Sequence, residues 1–305
     1  MVNWLHGHSR RELEEEGMRQ QAEPFRYVRA GGRPGLLRLS RWEEEHPVLT
    51  AGMTTRLGGV SKPPYDSLNA ALHVGDDPAA VLANRRLIAE EAGMPVEAFT
   101  CAEQVHGCGV AVVTPKERGR GRGGREDALQ DCDAMIANEP GILLAAWFAD
   151  CVPLWFYDPV RQAIGLAHAG WKGTALDVAG KTVRRMAEAF GSRPEDIRAA
   201  IGPSIGACCY QVDDTVVARL RETLAERDLT AGEAIRPDPA QTDKYRLDLK
   251  EINRKLLKKA GILPFRIEVT EWCTGCNPDL LYSHRMEGGK TGRMTAWIGL
   301  KDERI

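Results

Sequence analysis

Short runs of continuous apolar residues dominate the middle of the chain. Ile142 to Ala149, Val152 to Tyr157 and Ala163 to Ala167 read as consecutive buried strands. The last two flank an Asp-Pro turn at 158–159, so an antiparallel pairing is expected between them. Ile197 to Ile201, Phe265 to Thr270 and Met294 to Leu300 look like further strands. Apolar positions recur at helical spacing over Thr174 to Phe190, Asp213 to Arg227 and Asp248 to Ala260. The segment Asp76 to Gly93 adds acidic residues at its head, Pro78 in its first turn and a closing glycine, which together describe a capped helix. The pattern is α+β, with no internal repeat.

Outside this pattern lie two polar stretches. Residues 1–35 read as a charge-rich N-terminal extension, with one helix around Arg10 to Gln21 and a Gly-Gly-Arg-Pro-Gly turn cluster at 31–35. Residues 36–305 then form a single domain, long enough to bury a substantial core. Lys116 to Asp127 is a glycine and arginine tract without apolar residues, expected to be a mobile solvated loop. It lacks the aromatic residues that stack on bases, and Glu126 and Asp127 follow its arginines, so no nucleic-acid partner is expected.

Charge narrows the partners further. The 41 basic and 43 acidic side chains nearly cancel, so no global field favours nucleic acid or an anionic membrane. Met1 to Glu16 lack the apolar core of a secretory signal, and no apolar run reaches membrane-spanning length. A cytoplasmic protein, monomer or homodimer, is expected. Its eight cysteines are then expected to be reduced.

Three polar residues stand where apolar stretches end: His106, Cys151 and His168. Two imidazoles and a thiolate suit zinc, and three protein ligands leave a fourth position for substrate or water. Spacing alone leaves open that each is a packed core residue. Cys273 and Cys276 form a lone Cys-x-x-Cys without a second pair downstream, which favours reduced structural thiols. Cys208 and Cys209 are adjacent, and neighbouring strand side chains diverge, so joint ligation of one metal is not expected.

Several motifs occur together: Thr54-Thr55-Arg56-Leu57-Gly58-Gly59-Val60-Ser61, Gln104 to Gly107, Ala149-Asp150-Cys151, His168 to Gly173, and Ile201-Gly202-Pro203-Ser204-Ile205-Gly206. Leu68-Asn69, His73-Val74-Gly75-Asp76, Cys273-Thr274-Gly275-Cys276 and Gly289-Lys290-Thr291-Gly292-Arg293-Met294 extend the set. In this order they resemble the YfiH or laccase-domain family, from about Arg38 to Leu300. The resemblance implies a mixed β-sandwich flanked by helices, in α/β/β/α layers. It also implies a metal held by His106, Cys151 and His168. Members look like purine nucleoside phosphorylases acting on adenosine, inosine and methylthioadenosine, with adenosine deaminase as a second activity. The family name points instead to polyphenol oxidation.

Each chemistry makes its own demands. Zinc-assisted deamination needs a proton carrier; no glutamate adjoins His106, which leaves Glu103 or Asp150. Phosphorolysis needs a site for a dianion, for which Arg56 and Arg293 are candidates and Lys172 a point-charge alternative. Asn69 and Gln104 can hydrogen-bond a ribose or purine edge, or cap backbone groups near the site. Trp171 can stack on a base or pack in the core. Seven histidines, His6 and His8 among them in the extension, are too few for a multicopper oxidase, although Cu2+ can enter the single site in place of Zn2+. Alternatives are a metal-independent cysteine hydrolase built on Cys151, an editing hydrolase of peptidoglycan precursors, and a scaffold with a structural zinc.

Overall fold

The alternation of side chains along each central strand sets the layering. In the fully buried strand Leu143–Phe148, Leu144, Ala146 and Phe148 join one apolar layer while Leu143, Ala145 and Trp147 join another. A strand covered on both faces behaves in this way, which is why it reads as a continuous apolar run. The computed structural model describes residues 23–302, and the helix expected around Arg10 to Gln21 lies outside them.

With strands numbered along the chain, one six-stranded sheet has the order β1 (Arg26–Val28), β2 (Leu36–Arg38), β3 (Leu49–Thr54), β15 (Met294–Leu300), β7 (Leu143–Phe148) and β4 (Phe99–Cys101). The other runs β14 (Ile267–Val269), β10 (Arg198–Ile201), β8 (Val152–Asp158), β9 (Ala163–Ala169), β6 (Ala134–Ala137) and β5 (Val110–Val112). Both are mixed, since β4 lies parallel to β7, β14 to β10 and β5 to β6. The remaining strands, Gln211–Asp213, Ile235–Pro237 and Lys244–Leu247, form a small antiparallel sheet.

One apolar layer lies between the two large sheets and includes Met53, Phe148, Trp155, Leu166 and Ile298. Helix α2 (Pro78–Glu91) covers the outer face of the first sheet, through Ile88 and Ala89. On the second sheet, α4 (Val178–Phe190) and α6 (Leu249–Lys259) pack through Val183 and Leu256, while α5 (Asp214–Ala225) joins the same apolar layer through Leu220 and lies against the small sheet. The architecture is α+β, the α/β/β/α sandwich implied by the motifs. Two short helices complete it, α1 (Ser40–Glu45) and α3 (Trp171–Ala175).

The structure departs from the sequence reading at four places. β8 and β9 pair antiparallel from Asp158↔Ala163 to Val152↔Ala169, as expected, but β7 does not continue that meander. It pairs with β15 and β4 in the other sheet, so the chain crosses between sheets at residues 149–151. The helical stretch 174–190 is split, because Asp177 at φ +58° ends one turn and caps α4 through the Gly180 N–H. The glycine and arginine tract is tied down rather than free: the buried Arg85 guanidinium donates to the carbonyls of Gly121 (2.8 Å) and Arg122 (2.7 Å). A buried cation requires such acceptors. Finally, within the stretch read as an extension, Phe25 is buried against Trp155 and β1 pairs with β2 at the edge of the first sheet. Among the described residues no helix is long and apolar enough to cross a membrane.

Candidate metal centre

Sheet register assembles the centre. On β9, Ile164 and Leu166 point into the layer between the sheets, and His168 continues that face against Phe148, with ring centroids 5.3 Å apart. Across β8 its partner is Pro153, and the pairing Val152↔Ala169 carries Cys151 to the side of Gly170. On the other flank the pairing Ala134↔Ala167 brings Asp133 opposite His168, whose backbone N–H donates to the Asp133 carbonyl at 2.7 Å. His106 arrives from the loop after β4. The donor atoms of His106, Cys151 and His168 then lie within 4.8 Å of one another.

Asp133 locks two of the three in place. Its carboxylate accepts His168 Nδ1 (2.9 Å), the His106 N–H (3.0 Å) and the Gly107 N–H (2.6 Å). With Nδ1 engaged, His168 presents Nε2 as its free donor atom, the arrangement found behind metal-binding imidazoles. Burial alone would raise the Asp133 carboxyl, but the hydrogen bond and charge of His168, with the two backbone N–H groups, hold it below its ordinary value. Gly170 is a spatial requirement, since a Cβ there would stand 2.9 Å from Cys151 Sγ and 3.3 Å from the His106 ring. Gln104, His106 and Asp150 all hold positive φ (61°, 60° and 86°), so three residues at or beside the centre carry backbone strain.

Electrostatics prepare the thiol. Burial would raise Cys151, but the charge of His168 and hydrogen bonds from both imidazoles pull it down to about 6. Burial would lower His168, yet the Cys151 charge and the Asp133 hydrogen bond push it up to about 9. Without metal, each group's charge thus favours the other's charged form, thiolate beside imidazolium. The centre is graded in depth: His168 is buried, Cys151 half-buried and His106 exposed, so one side opens to solvent. Three soft and borderline donors with an open side fit a zinc or copper ion.

The other candidate residues separate by their partners. Asp150 is buried, and its carboxylate accepts the hydroxyls of Thr274 (2.6 Å) and Ser283 (2.7 Å) and the Arg285 N–H (2.7 Å). Those bonds make it an anchor for surrounding loops rather than a free proton carrier. Glu103 is paired with Arg125 at 2.6 Å. Arg56 is also committed: Nη1 donates to the Pro278 carbonyl and Glu287, Nε to the Asp66 carbonyl, and the guanidinium lies 4.7 Å from the Tyr282 ring. A neighbouring carboxylate repels an incoming phosphate. Asn69 is fully buried, with its amide spent on the Ala71 backbone, Asp76 and the Arg293 N–H. Gln104 likewise uses both ends of its amide on the Trp147 backbone.

Arg293 differs from these. Its Nη1 is held by the carbonyls of Thr291 (2.7 Å) and Gly292 (2.9 Å), while Nε and Nη2 have no hydrogen-bond partner among the described residues. Half-buried, it lies within electrostatic reach of Cys151 and Asp150; burial lowers its pKa, but an arginine stays charged. Lys172 is exposed on α3, its Nζ 5.7 Å from the ring of half-buried Trp171. Sequence reasoning missed Asp133. The available signal was an acidic residue immediately before the apolar strand 134–137.

Known proteins share this arrangement of chain. The family described as "Multi-copper polyphenol oxidoreductase laccase" matches residues 50–301. A relative named purine nucleoside phosphorylase YlmD, from Bacillus subtilis, is 42% identical over 272 residues, covering 88% of this chain and 96% of its own. The protein of that name from Geobacillus stearothermophilus is 48% identical over 254 residues, covering 83% and 90%. The crystal structure of the Bacillus licheniformis hypothetical protein YfiH superposes with a TM-score of 0.82 at 42% identity, covering 90% of this chain and 99% of that one. With the motif set, the sandwich and a family match over most of its length, the chain belongs to the multi-copper polyphenol oxidoreductase laccase family, which includes the YfiH and YlmD proteins.

Proposed function

We propose that the chain is a zinc-dependent purine nucleoside phosphorylase that converts adenosine, inosine and methylthioadenosine to free base and sugar 1-phosphate, and that also deaminates adenosine. The observation that carries this reading is the open cluster of His106, Cys151 and His168, backed by Asp133, in a chain whose relatives bear the phosphorylase name. His106, Cys151 and His168 would hold the ion, and zinc bound there supplies a Lewis acid.

The remaining work falls to the chain's own groups. Asp133 fixes the tautomer and orientation of His168 and, through two backbone N–H groups, the course of the loop carrying His106. Arg293 offers phosphate a free Nε and Nη2 edge, the planar fork that suits a dianion, and Asn69 positions the Arg293 backbone. In phosphorolysis a phosphate oxygen bonds to C1′ of the sugar as the glycosidic C–N bond breaks, and the departing base takes up a proton. A cationic fork gathers the nucleophile for that step without being consumed.

Purified protein is tested for metal by elemental analysis and for turnover of adenosine by chromatography, with and without phosphate. Stoichiometric zinc with phosphate-dependent adenine release supports the phosphorylase; inosine formation supports the deaminase. A second reading rests on the depressed Cys151 thiol, which beside two imidazoles also suits a metal-independent cysteine hydrolase. Activity that survives complete removal of metal would favour that reading, and copper in place of zinc would redirect the first toward phenol oxidation.

A further inference from the structure

Among the described residues one other group of metal-binding side chains is drawn together, far in sequence from the first. Cys208, Cys209, Cys273 and Cys276 have their four sulfurs within 4.8 Å of one another. We propose that they bind a single structural zinc ion, separate from the centre at Cys151, which clamps together the two loops that hold Asp150.

The geometry fits one ion. Zinc at about 2.3 Å from each of four sulfurs spaces them about 3.8 Å apart in a tetrahedron. Here Cys208 lies 3.4 Å from Cys276 and 3.5 Å from Cys273, and Cys209 lies 3.5 Å from Cys276. All four are free thiols. Four thiolates complete the coordination shell, which is the mark of a structural rather than a catalytic zinc. Packing offers no alternative account, because Cys208 and Cys276 are exposed and bury little apolar surface.

Sequence reading set these residues aside for two reasons, and the fold removes both. The partner pair for Cys273-x-x-Cys276 lies upstream, about 65 residues away in sequence, not downstream. Cys208 and Cys209 lie in a turn, where the alternation of a strand does not separate neighbours. The pocket is also shaped around the sulfurs. A Cβ on Gly275 would stand 2.8 Å from Cys209 Cβ and 2.9 Å from its sulfur, so glycine permits the close approach. The Gly206 N–H donates to Cys273 Sγ at 3.1 Å, a bond that favours the thiolate. Buried Lys250 donates to the carbonyls of Thr270 and Trp272, on the segment entering Cys273, and so places a positive charge within electrostatic reach of Cys273 and Cys208.

The two loops meet beside the first centre. Ser204 bridges to Cys273, Ile205 donates its N–H to the Asp150 carbonyl, and Thr274 donates its hydroxyl to the Asp150 carboxylate. Asp150 is the residue before Cys151, so the second ion would hold rigid the wall behind that ligand.

The test is metal content in four proteins: wild type, Cys151→Ser, the double variant Cys208→Ser with Cys276→Ser, and the combination. Both cysteines of the double variant are exposed, which favours retention of the fold. The proposal expects about two zinc ions per wild-type chain, about one in each of the two variants, and none in the combination. Cobalt loaded into Cys151→Ser should give thiolate charge-transfer and tetrahedral d–d bands that vanish in the combined variant. If the double variant does not fold, thiol titration of the wild type with a mercurial should release both ions. A wild-type chain with a single zinc that the double variant keeps overturns the proposal, as does a cobalt spectrum unchanged by loss of Cys208 and Cys276.

Discussion

Replacing Asp133 by asparagine perturbs the candidate metal centre without touching a proposed ligand. The carboxylate accepts three hydrogen bonds: Oδ1 takes His168 Nδ1 at 2.9 Å and the His106 N–H at 3.0 Å, and Oδ2 takes the Gly107 N–H at 2.6 Å. An amide of the same shape has one oxygen and one donor nitrogen. Its less costly orientation sets that nitrogen against the Gly107 N–H and orphans one donor; the other orientation orphans two. An orphaned buried donor costs about 1–3 kcal/mol. The bond to His168 also loses its charge assistance, so the imidazole is less basic and less firmly oriented. Losses of this kind lower metal affinity by about 10–100-fold, which is about 1.4–2.7 kcal/mol. Competition against a chromophoric chelator, at fixed pH and salt, measures the change. Thermal unfolding of the metal-stripped variant separates it from a loss of fold. An intact fold with affinity within about threefold of wild type would refute the role given to Asp133.

Three other outcomes follow from the same geometry. Gly170→Ala puts a methyl group 2.9 Å from Cys151 Sγ, so metal affinity should fall by at least about tenfold while circular dichroism stays unchanged; equal affinity would show that the Cys151 sulfur moves freely. Arg293→Ala should raise the KM for phosphate by about tenfold or more and leave zinc content unaltered, and a loss confined to kcat would argue against phosphate binding there. In metal-stripped protein, Cys151 should become alkylated as pH rises through about 6, well below the ordinary thiol value of 9.0, because the imidazolium of His168 stabilises its thiolate. Peptide-level mass spectrometry reads this site apart from the exposed Cys208 and Cys276, and a midpoint near 9.0 would contradict the thiolate–imidazolium pair.

The legible part of the fold was the part written in periodicity. Strands such as Val152–Asp158 and helices such as Pro78–Glu91 carry their patterns and caps locally, and they occur close to where those patterns place them. Sheet membership is not local. The run ending at Phe148 and the run starting at Val152 are equally apolar, and nothing in them says that the chain changes sheets at residues 149–151. His106, Cys151 and His168 were visible as polar residues at the ends of apolar runs, but their meeting depends on the β8–β9 and β6–β9 registers. Asn69 and Gln104 show the opposite limit. An amide able to bind substrate is able to bind backbone, and only the partners at Ala71, Asp76, Arg293 and Trp147 decide between the two. Asp133 and the four-cysteine cluster required tertiary contacts that no spacing reveals.

The most direct test of the proposed function is phosphate-dependent release of adenine from adenosine by the wild type and by Cys151→Ala, with zinc content measured on the same samples. The account predicts adenine and ribose 1-phosphate in equal amounts from zinc-loaded wild type, and loss of both turnover and one zinc ion in the variant. Adenine release that persists in Cys151→Ala, or in wild type stripped of metal, would contradict it.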